Sequence, residues 1–312
     1  MKTLITDIGY GDTKFAWKEG EKTRFGKFPT AIVRRGRARV YPSMEGIRSV
    51  SLEMVFEGIS YVVGEQAFDF GKPISTRRKG FIPTYAPLLV AKMVEEAGRD
   101  FERLVVSVAI SDYTREHVEA LRKRLQKFTV NDKDYSFKNI LILPQGYGIY
   151  RDVFPEGTDK KVVVVDIGFN TIDISYYVGG EPIKDNFRGL PGYGAARIIN
   201  NLLEKVKEET GEQISELELN KAIKEGGKLK FYSREYDISD LIEEEKEFYA
   251  EEVIAEIESS LGDVWKRADY RIVAGGGGYF IPEDFKKEYS LTVPESPEFS
   301  NVRGFLTDVK GE

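Results

Sequence analysis

Apolar residues in this chain fall into short β-branched runs separated by amphipathic stretches with helical spacing. The densest run is Val162-Val163-Val164-Val165, which leads directly into Asp166-Ile167-Gly168-Phe169-Asn170-Thr171. Consecutive β-branched residues predict a strand buried on both faces, here closed by an acid and a glycine turn. The N-terminus repeats the device, with Leu4-Ile5-Thr6-Asp7 running into Ile8-Gly9-Tyr10-Gly11-Asp12-Thr13-Lys14. Asp-Ile-Gly-aromatic thus occurs twice and predicts two half-molecules built alike, facing one anion across a cleft.

The remaining pattern fills in both halves. Phe15–Lys18 and Lys22–Pro29 read as strands joined at Glu19-Gly20-Glu21. Arg34 to Arg39 holds four arginines in six positions and reads as a solvated loop. Alternation over Val55–Val63 predicts a hairpin around Glu57-Gly58, and Pro73–Pro83 reads as loop. Tyr85–Ala97 and Tyr113–Phe128 carry helical spacing; Leu104–Ile110 and Asn139–Leu143 read as buried strands, and Tyr147–Val153 as helix. In the second half, Ser175–Val178 and Ile183–Phe187 predict a hairpin around Gly179-Gly180. Helices follow at Ala195–Glu209, Ser215–Glu225 and Ser239–Leu261, the last with an apolar stripe that includes Phe248. Strand Tyr270–Ala274 runs into Gly275-Gly276-Gly277-Gly278, and Pro282-Glu283-Asp284 reads as a helix start. Turn-rich Pro155–Asp159 is the candidate domain boundary. Interleaved strands and helices place the chain in the α/β class with mixed sheets.

Composition narrows the function. A length of 312 residues suits two domains. A net charge of −6 argues against direct nucleic-acid or anionic-membrane binding. Cysteine is absent and His117 is the single histidine, which removes thiolate and His-rich zinc sites and Ser-His-Asp catalysis. His117 sits between charged residues and reads as part of a solvated helix face. The first twenty residues contain Asp7 and Asp12 and no signal-peptide core, and no long apolar run appears, so a soluble cytoplasmic protein is expected.

Three stretches carry candidate chemistry. Gly9 and Gly11 let backbone N–H groups curl around an oxyanion; Thr13 adds a hydroxyl donor and Lys14 a charge. Asp7, at the strand end, suits a hydrated Mg²⁺ that bridges phosphates. The spacing fits neither a P-loop nor a dinucleotide fingerprint. Asp166, Gly168, Phe169, Asn170 and Thr171 repeat this hardware. Two carboxylates facing one cleft need a cation, and a Mg-nucleotide supplies it. Gly275, Gly276 and Gly277 offer bare backbone to a purine or an α-phosphate.

In this order the three stretches resemble the phosphate-one, phosphate-two and adenosine motifs of the actin-like ATPase superfamily, which includes actin, bacterial actins, heat-shock chaperones and sugar kinases. Asp7, Gly9, Gly11 and Lys14 match actin's Asp-x-Gly-x-Gly-x-x-Lys. Pro144-Gln145-Gly146 falls where the family's first connecting helix begins and where Gln or Glu positions the attacking water. Pro297 to Phe305 is similar to the C-terminal signature of plasmid-segregation actins (ParM/StbA-like) and archaeal actin-like proteins, with Ser300 where Ala is usual. The resemblance implies two ribonuclease-H-like domains, each with a mixed five-stranded sheet, and nucleotide in the interdomain cleft. Domain I would span 1–158 with the tail 290–312 returning to it, and domain II 159–289 with an insertion near 195–260. It further implies Mg²⁺ at Asp7 and Asp166, with ATP or GTP bound by residues 9–14, 168–171 and 275–277. Gln145 would act in catalysis with Asp7 and Asp166. Implied partners are further copies of the chain in a filament and an adaptor protein linking it to DNA.

Three functions stay open: a filament-forming ATPase, a sugar- or pantothenate-type kinase, and a nucleotide-binding regulator that does not polymerise. A kinase needs a carboxylate base near the transferred phosphate. Gln145 can orient water but is no base, and Asp112 is the nearby acid. Gln145 could equally cap the helix it precedes, which would leave Asp173 or Asp112 as the hydrolytic candidate.

Overall fold

Strand β1 (Thr3–Ile8) is buried at every position, as befits the middle strand of a sheet covered on both faces. The structure is a computed structural model that describes residues 1–37, 52–78, 80–231 and 234–307. The chain divides into two compact units, Met1–Pro155 joined by the residues from Asn301, and Glu156–Ser300.

In the first unit β1 turns at Gly9 into β2 (Asp12–Glu19), which pairs antiparallel with β1 and with β3 (Lys22–Pro29). A small sheet follows, built from β4 (Ile32–Arg37), β5 (Glu53–Phe56) and β6 (Ile59–Val63) in the order β4-β6-β5. Arg34, Arg35 and Arg37 therefore lie in a strand and not in a loop, because Ile32 and Val33 are buried against β6 and carry the strand with them; Arg39 lies outside the described residues. Helix α1 (Phe81–Ala97) begins four residues before Tyr85 and takes in Pro83, so the loop expected over Pro73–Pro83 is shorter. Proline is tolerated there because the first turn needs no intrahelical N–H. Strands β7 (Arg103–Val108) and β10 (Asn139–Pro144) add to β1 in parallel, giving the order β10-β7-β1-β2-β3. Between them lie α2 (Arg115–Gln126) and a hairpin, β8 (Lys127–Val130) and β9 (Lys133–Ser136), that the sequence reading missed. Its turn residues Asn131 and Asp132 are both left-handed, at φ 51° and 59°. His117 on α2 is half-buried, with Nε2 enclosed, so its face is not fully solvated. Helix α3 (Tyr147–Val153) follows β10.

The second unit opens with β11 (Lys161–Ile167). Val162 to Val165 are 0% exposed, and each valine so buried contributes about 1.5–3 kcal/mol. Strand β12 (Thr171–Val178) pairs antiparallel with β11. The return from β12 is only β13 (Glu181–Pro182), followed by one tight helical turn at Lys184–Asn186, so the expected strand over Ile183–Phe187 does not form. Strand β14 (Arg188–Pro191) takes up the pairing along β12 instead. Helices α4 (Ala196–Thr210), α5 (Glu216–Lys224) and α6 (Ser239–Leu261) follow, with a hairpin of β15 (Lys228–Phe231) and β16 (Arg234–Asp237) before α6. Ser215 and Glu218 form a capping box at the start of α5. Phe248 is 49% exposed and leaves the apolar stripe of α6, whose buried line instead runs through Ile242, Glu245 and Tyr249. After α7 (Asp263–Lys266), β17 (Tyr270–Ala274) joins β11 in parallel, and after α8 (Glu283–Glu288) β18 (Leu291–Thr292) joins β17. Residues 290–300 belong with this unit, not with the returning tail, because β18 pairs with β17 and the Pro297 carbonyl accepts the Gly275 N–H. Helix α9 (Ser300–Phe305) ends the described chain.

Both sheets share one plan: a central strand, an antiparallel hairpin partner on one side and parallel strands on the other. The Asp-Ile-Gly repeat marks the end of that central strand in each. The second sheet has six strands where five were expected, since β13 and β14 both pair with β12. Among the described residues no helix is long and apolar enough to cross a membrane.

Candidate nucleotide-binding half-sites

In the first unit, β1 delivers Asp7 to the end of the sheet, 3% exposed. Its Oδ1 accepts hydrogen bonds from Ser107 Oγ and Gln145 Nε2, each at 2.6 Å. Strand register explains the convergence: Asp7 stands opposite Ser107, and Ser107 opposite Leu143, two residues before Gln145. An ionised carboxylate only accepts, so Gln145 turns its NH₂ to Asp7 and its carbonyl oxygen away. That oxygen has no hydrogen-bond partner among the described residues. Gln145 does not cap α3; Gly146 is the N-cap, at φ 89°, and the Gly146 N–H is held by Asn301 Oδ1 at 3.0 Å.

Lys14 stands across the hairpin from Asp7. Its Nζ lies 3.4 Å from where a Cβ on Gly9 would sit, and that Cβ would also meet the Asp12 carbonyl at 2.8 Å. Position 9 must therefore be glycine for the turn to close under the ammonium. Lys14 makes no ion pair among the described residues. Asp12 pairs with Lys27 at 3.1 Å, and the Tyr10 hydroxyl donates to Asp112. Thr13 does not serve as an anion donor. It is fully buried, its hydroxyl shares a 2.9 Å hydrogen bond with Thr30, and Thr30 donates to the Gly9 carbonyl at 2.7 Å. Side chains alternate along β2, so Thr13 points inward with Phe15 and props the loop from below, while Asp12 and Lys14 share the opposite face.

In the second unit, Asp166 ends β11 at 5% exposure, opposite Asp173 on β12 and Ala274 on β17. The Gly168 N–H closes the turn on the Thr171 carbonyl at 2.9 Å, and Thr171 Oγ1 donates to Asp173 at 3.1 Å. The loop's carbonyls are pinned to the chain entering α4: Gly168 to the Ala195 N–H at 2.9 Å, Phe169 to Ala196 at 2.8 Å, Asn170 to Gly192 at 2.9 Å. Phe169 packs on the core and Asn170 is 8% exposed. The approach is so close that a Cβ on Gly194 would lie 2.5 Å from the Phe169 carbonyl. Behind this turn the buried Tyr249 hydroxyl donates to the Tyr193 carbonyl at 2.8 Å, and its burial pushes the phenol above its ordinary pKa. Arg197 forms a two-pronged ion pair with Glu252 at 2.8 and 2.6 Å, which locks α4 to α6.

The glycine run divides by role. A Cβ on Gly275 would lie 2.4 Å from Asp166 Oδ1, and one on Gly277 2.0 Å from Ile167 Cγ2; Gly276 has open space. Gly275 and Gly277 thus let the run pack against the end of β11, and Gly276 is the bare position.

A family model described as actin-like proteins, N-terminal domain, matches residues 6–148. A second, described as archaeal actin homologue MreB-like, C-terminal, matches residues 164–287. The chain belongs to the actin-like ATPase superfamily. Its fold agrees: the crystal structure of Ta0583, an archaeal actin homologue, superposes with a TM-score of 0.80 at 21% identity, covering 100% of both chains. The Ta0583 complex with ADP gives 0.78 at 19%, again over 100% of both. A ParM from a 15-stranded Clostridium botulinum filament gives 0.75 at 19%, covering 100% of this chain and 99% of that one. A search of curated protein sequences finds no match. The architecture is that of a two-domain actin-like α/β protein.

This actin-like chain gathers no group of three or more carboxylates or His side chains able to hold a metal, among the described residues. Each unit offers one buried carboxylate at a strand end, Asp7 and Asp166. That donor set suits Mg²⁺, which keeps its waters and binds through one or two carboxylates plus phosphates. Sequence reasoning missed Ser107, Thr30 and Asn301. Ser107 was legible only through register, since nothing local marks a serine in a buried strand. Asn301 lies within the C-terminal signature stretch, which marks the segment but not the contact it makes with Gly146.

Proposed function

We propose that this actin-like protein binds and hydrolyses Mg-ATP, or GTP, and that the bound nucleotide governs its assembly into filaments of the plasmid-segregation or cytoskeletal type. The observation that carries the hydrolytic part is Gln145, anchored through Nε2 on Asp7 with its carbonyl oxygen unengaged. That oxygen can accept from a water beside the phosphate, and the anchor fixes its direction. Lys14 would meet the phosphates as an unpaired cation over Gly9. Mg²⁺, when bound, supplies charge neutralisation of the phosphates, and Asp7 and Asp166 would hold it. Asp112, the carboxylate a kinase reading would need, is engaged by Tyr10. Filament formation is supported by family membership and by the ParM filament among the similar folds; an adaptor linking such filaments to DNA belongs to the same reading.

Lys14→Ala is expected to weaken ATP binding about 10- to 100-fold, the range of about 1.5–3 kcal/mol for a charge-assisted contact, and to leave adenosine binding unchanged. Equal losses for ATP and adenosine in a titration would remove Lys14 from the phosphate site.

Assembly is tested by sedimentation at tens of micromolar (roughly the concentration at which weak self-contacts of about 6–7 kcal/mol fill) with ATP, GTP, ADP or no nucleotide. Pelleting with triphosphate and its loss with diphosphate is the expected result. A chain that binds nucleotide yet stays monomeric throughout would be a non-polymerising regulator. Phosphate transfer to a sugar or to pantothenate would make it a kinase.

A further inference from the structure

Helix α9 grips α3 along its length. At its start, Asn301 Oδ1 accepts from the Gly146 N–H at 3.0 Å, and Asn301 is only 3% exposed. In the middle the two backbones touch: a Cβ on Gly304 would lie 1.7 Å from the Gly148 carbonyl, and one on Gly148 2.3 Å from the Asn301 carbonyl. Toward the end of α3, Asp152 is held by Arg303, with Nε on Oδ1 at 2.7 Å and Nη2 on Oδ2 at 2.6 Å.

Gly146 follows Gln145 directly, and this gives the first contact its significance. The Gln145 N–H is fixed on the Val108 carbonyl at 2.8 Å, so Asn301 fixes the peptide on its other side. Gly146 has no side chain with which to cap α3, and Asn301, 155 residues away, instead satisfies the N–H of the N-cap residue itself, one of the helix's four unpaired donors. A residue whose backbone is pinned on both sides has its Cα–Cβ direction set, and Gln145 must reach Asp7 at 2.6 Å from that fixed base.

We propose that Asn301 is a positioning residue for hydrolysis, holding the Gly146 peptide so that Gln145 keeps its amide on Asp7. The proposal rests on the hydrolytic role given to Gln145 above. It makes no contact between Asn301 and nucleotide, so ATP affinity stays unchanged while turnover falls.

The test compares Asn301→Ala, which removes the acceptor, with Asn301→Asp, which keeps one and suits a helix N-terminus. Single-turnover phosphate release, ATP titration and the Gln145 side-chain amide NMR signals, assigned by their absence in Gln145→Ala, are measured on both. Asn301→Ala is expected to shift or broaden those signals, to slow release about tenfold or more, as small misplacements of a catalytic group do, and to bind ATP within about twofold of wild type. Asn301→Asp is expected to restore signals and rate. In the double variant with Gln145→Ala, loss of Asn301 should cost nothing further. Unmoved Gln145 signals in Asn301→Ala, or an Asn301→Asp variant as impaired as the alanine, overturns the proposal. If Asn301→Ala does not fold, Asn301→Ser, too short to make the same contact, is read by the same outcomes. Should Gln145→Ala itself hydrolyse at the wild-type rate, the hydrolytic reading of Gln145 fails, and the amide signals still decide whether Asn301 positions it.

Discussion

An Asp166→Ala variant is expected to bind ATP with one weak affinity, whether or not Mg²⁺ is present. Asp166 sits at the end of a strand whose valines are wholly buried, so the fold survives the loss of one terminal side chain. What disappears is the second unit's strand-end carboxylate, placed beside Gly275 where any larger residue would collide with it. Losing one hydrogen-bonded charge at such a position is worth about 3 kcal/mol, or roughly 10²-fold in affinity. Asp166→Asn, which keeps the shape and removes the charge, should show the same loss and so separates electrostatics from packing. Calorimetry with ATP in magnesium and in chelator checks both variants. Wild-type, magnesium-dependent affinity in either would remove Asp166 from the metal site.

Gln145→Ala is expected to bind ATP normally and hydrolyse it slowly. Affinity is assigned to the two loops, which this side chain does not build. Its proposed contribution is a carbonyl oxygen aimed by the Asp7 anchor, and positioning of that kind accounts for roughly 10²–10⁴-fold in rate, about 3–5 kcal/mol of barrier. Filaments of the variant, holding unhydrolysed triphosphate, should outlast those of wild type. Single-turnover phosphate release and a binding titration on one preparation give the answer. Turnover within about twofold of wild type would pass the role to Asp173, which already holds the Thr171 hydroxyl.

The strands at the candidate half-sites were legible because their apolar runs are dense: Val162–Val165 is unbroken, and Leu4–Ile8 is interrupted only by Thr6 and the strand-end Asp7, both buried. The hairpin β8–β9 was not legible from strand pattern, since its strands are four residues long and three of their eight residues are charged; the Asn131-Asp132 turn was the available signal. Thr13 was misassigned because a motif gives spacing but not facing. In a strand the facing follows from the neighbours, and Phe15, fully buried on the same side, was the clue. Phe248 fell the other way, since an apolar residue on a long helix need not lie on its buried line. Gln145 was placed near the catalytic chemistry by its position after β10, yet its partner lies 138 residues away and could come only from the register of three strands. The glycine run was read as bare surface for a ligand, whereas two of its members are glycine because the end of β11 leaves them no room.

The contact between Gly146 and Asn301 spans nearly half the chain, and the whole second unit lies between its two ends. On the ribosome, then, α3 emerges long before the helix that fixes it. Units fold in the order they are made, so the first unit lacks its Asn301 contact at Gly146 while some 145 further residues are synthesised. A nascent chain of this protein can close the turn at Gly9 early but gains the Asn301 contact on Gly146 only after the second unit has been made. The proposed alignment of Gln145 would therefore wait on synthesis of the second unit, and a chain cut short before Asn301 would be left with the loop and without the cap on Gly146.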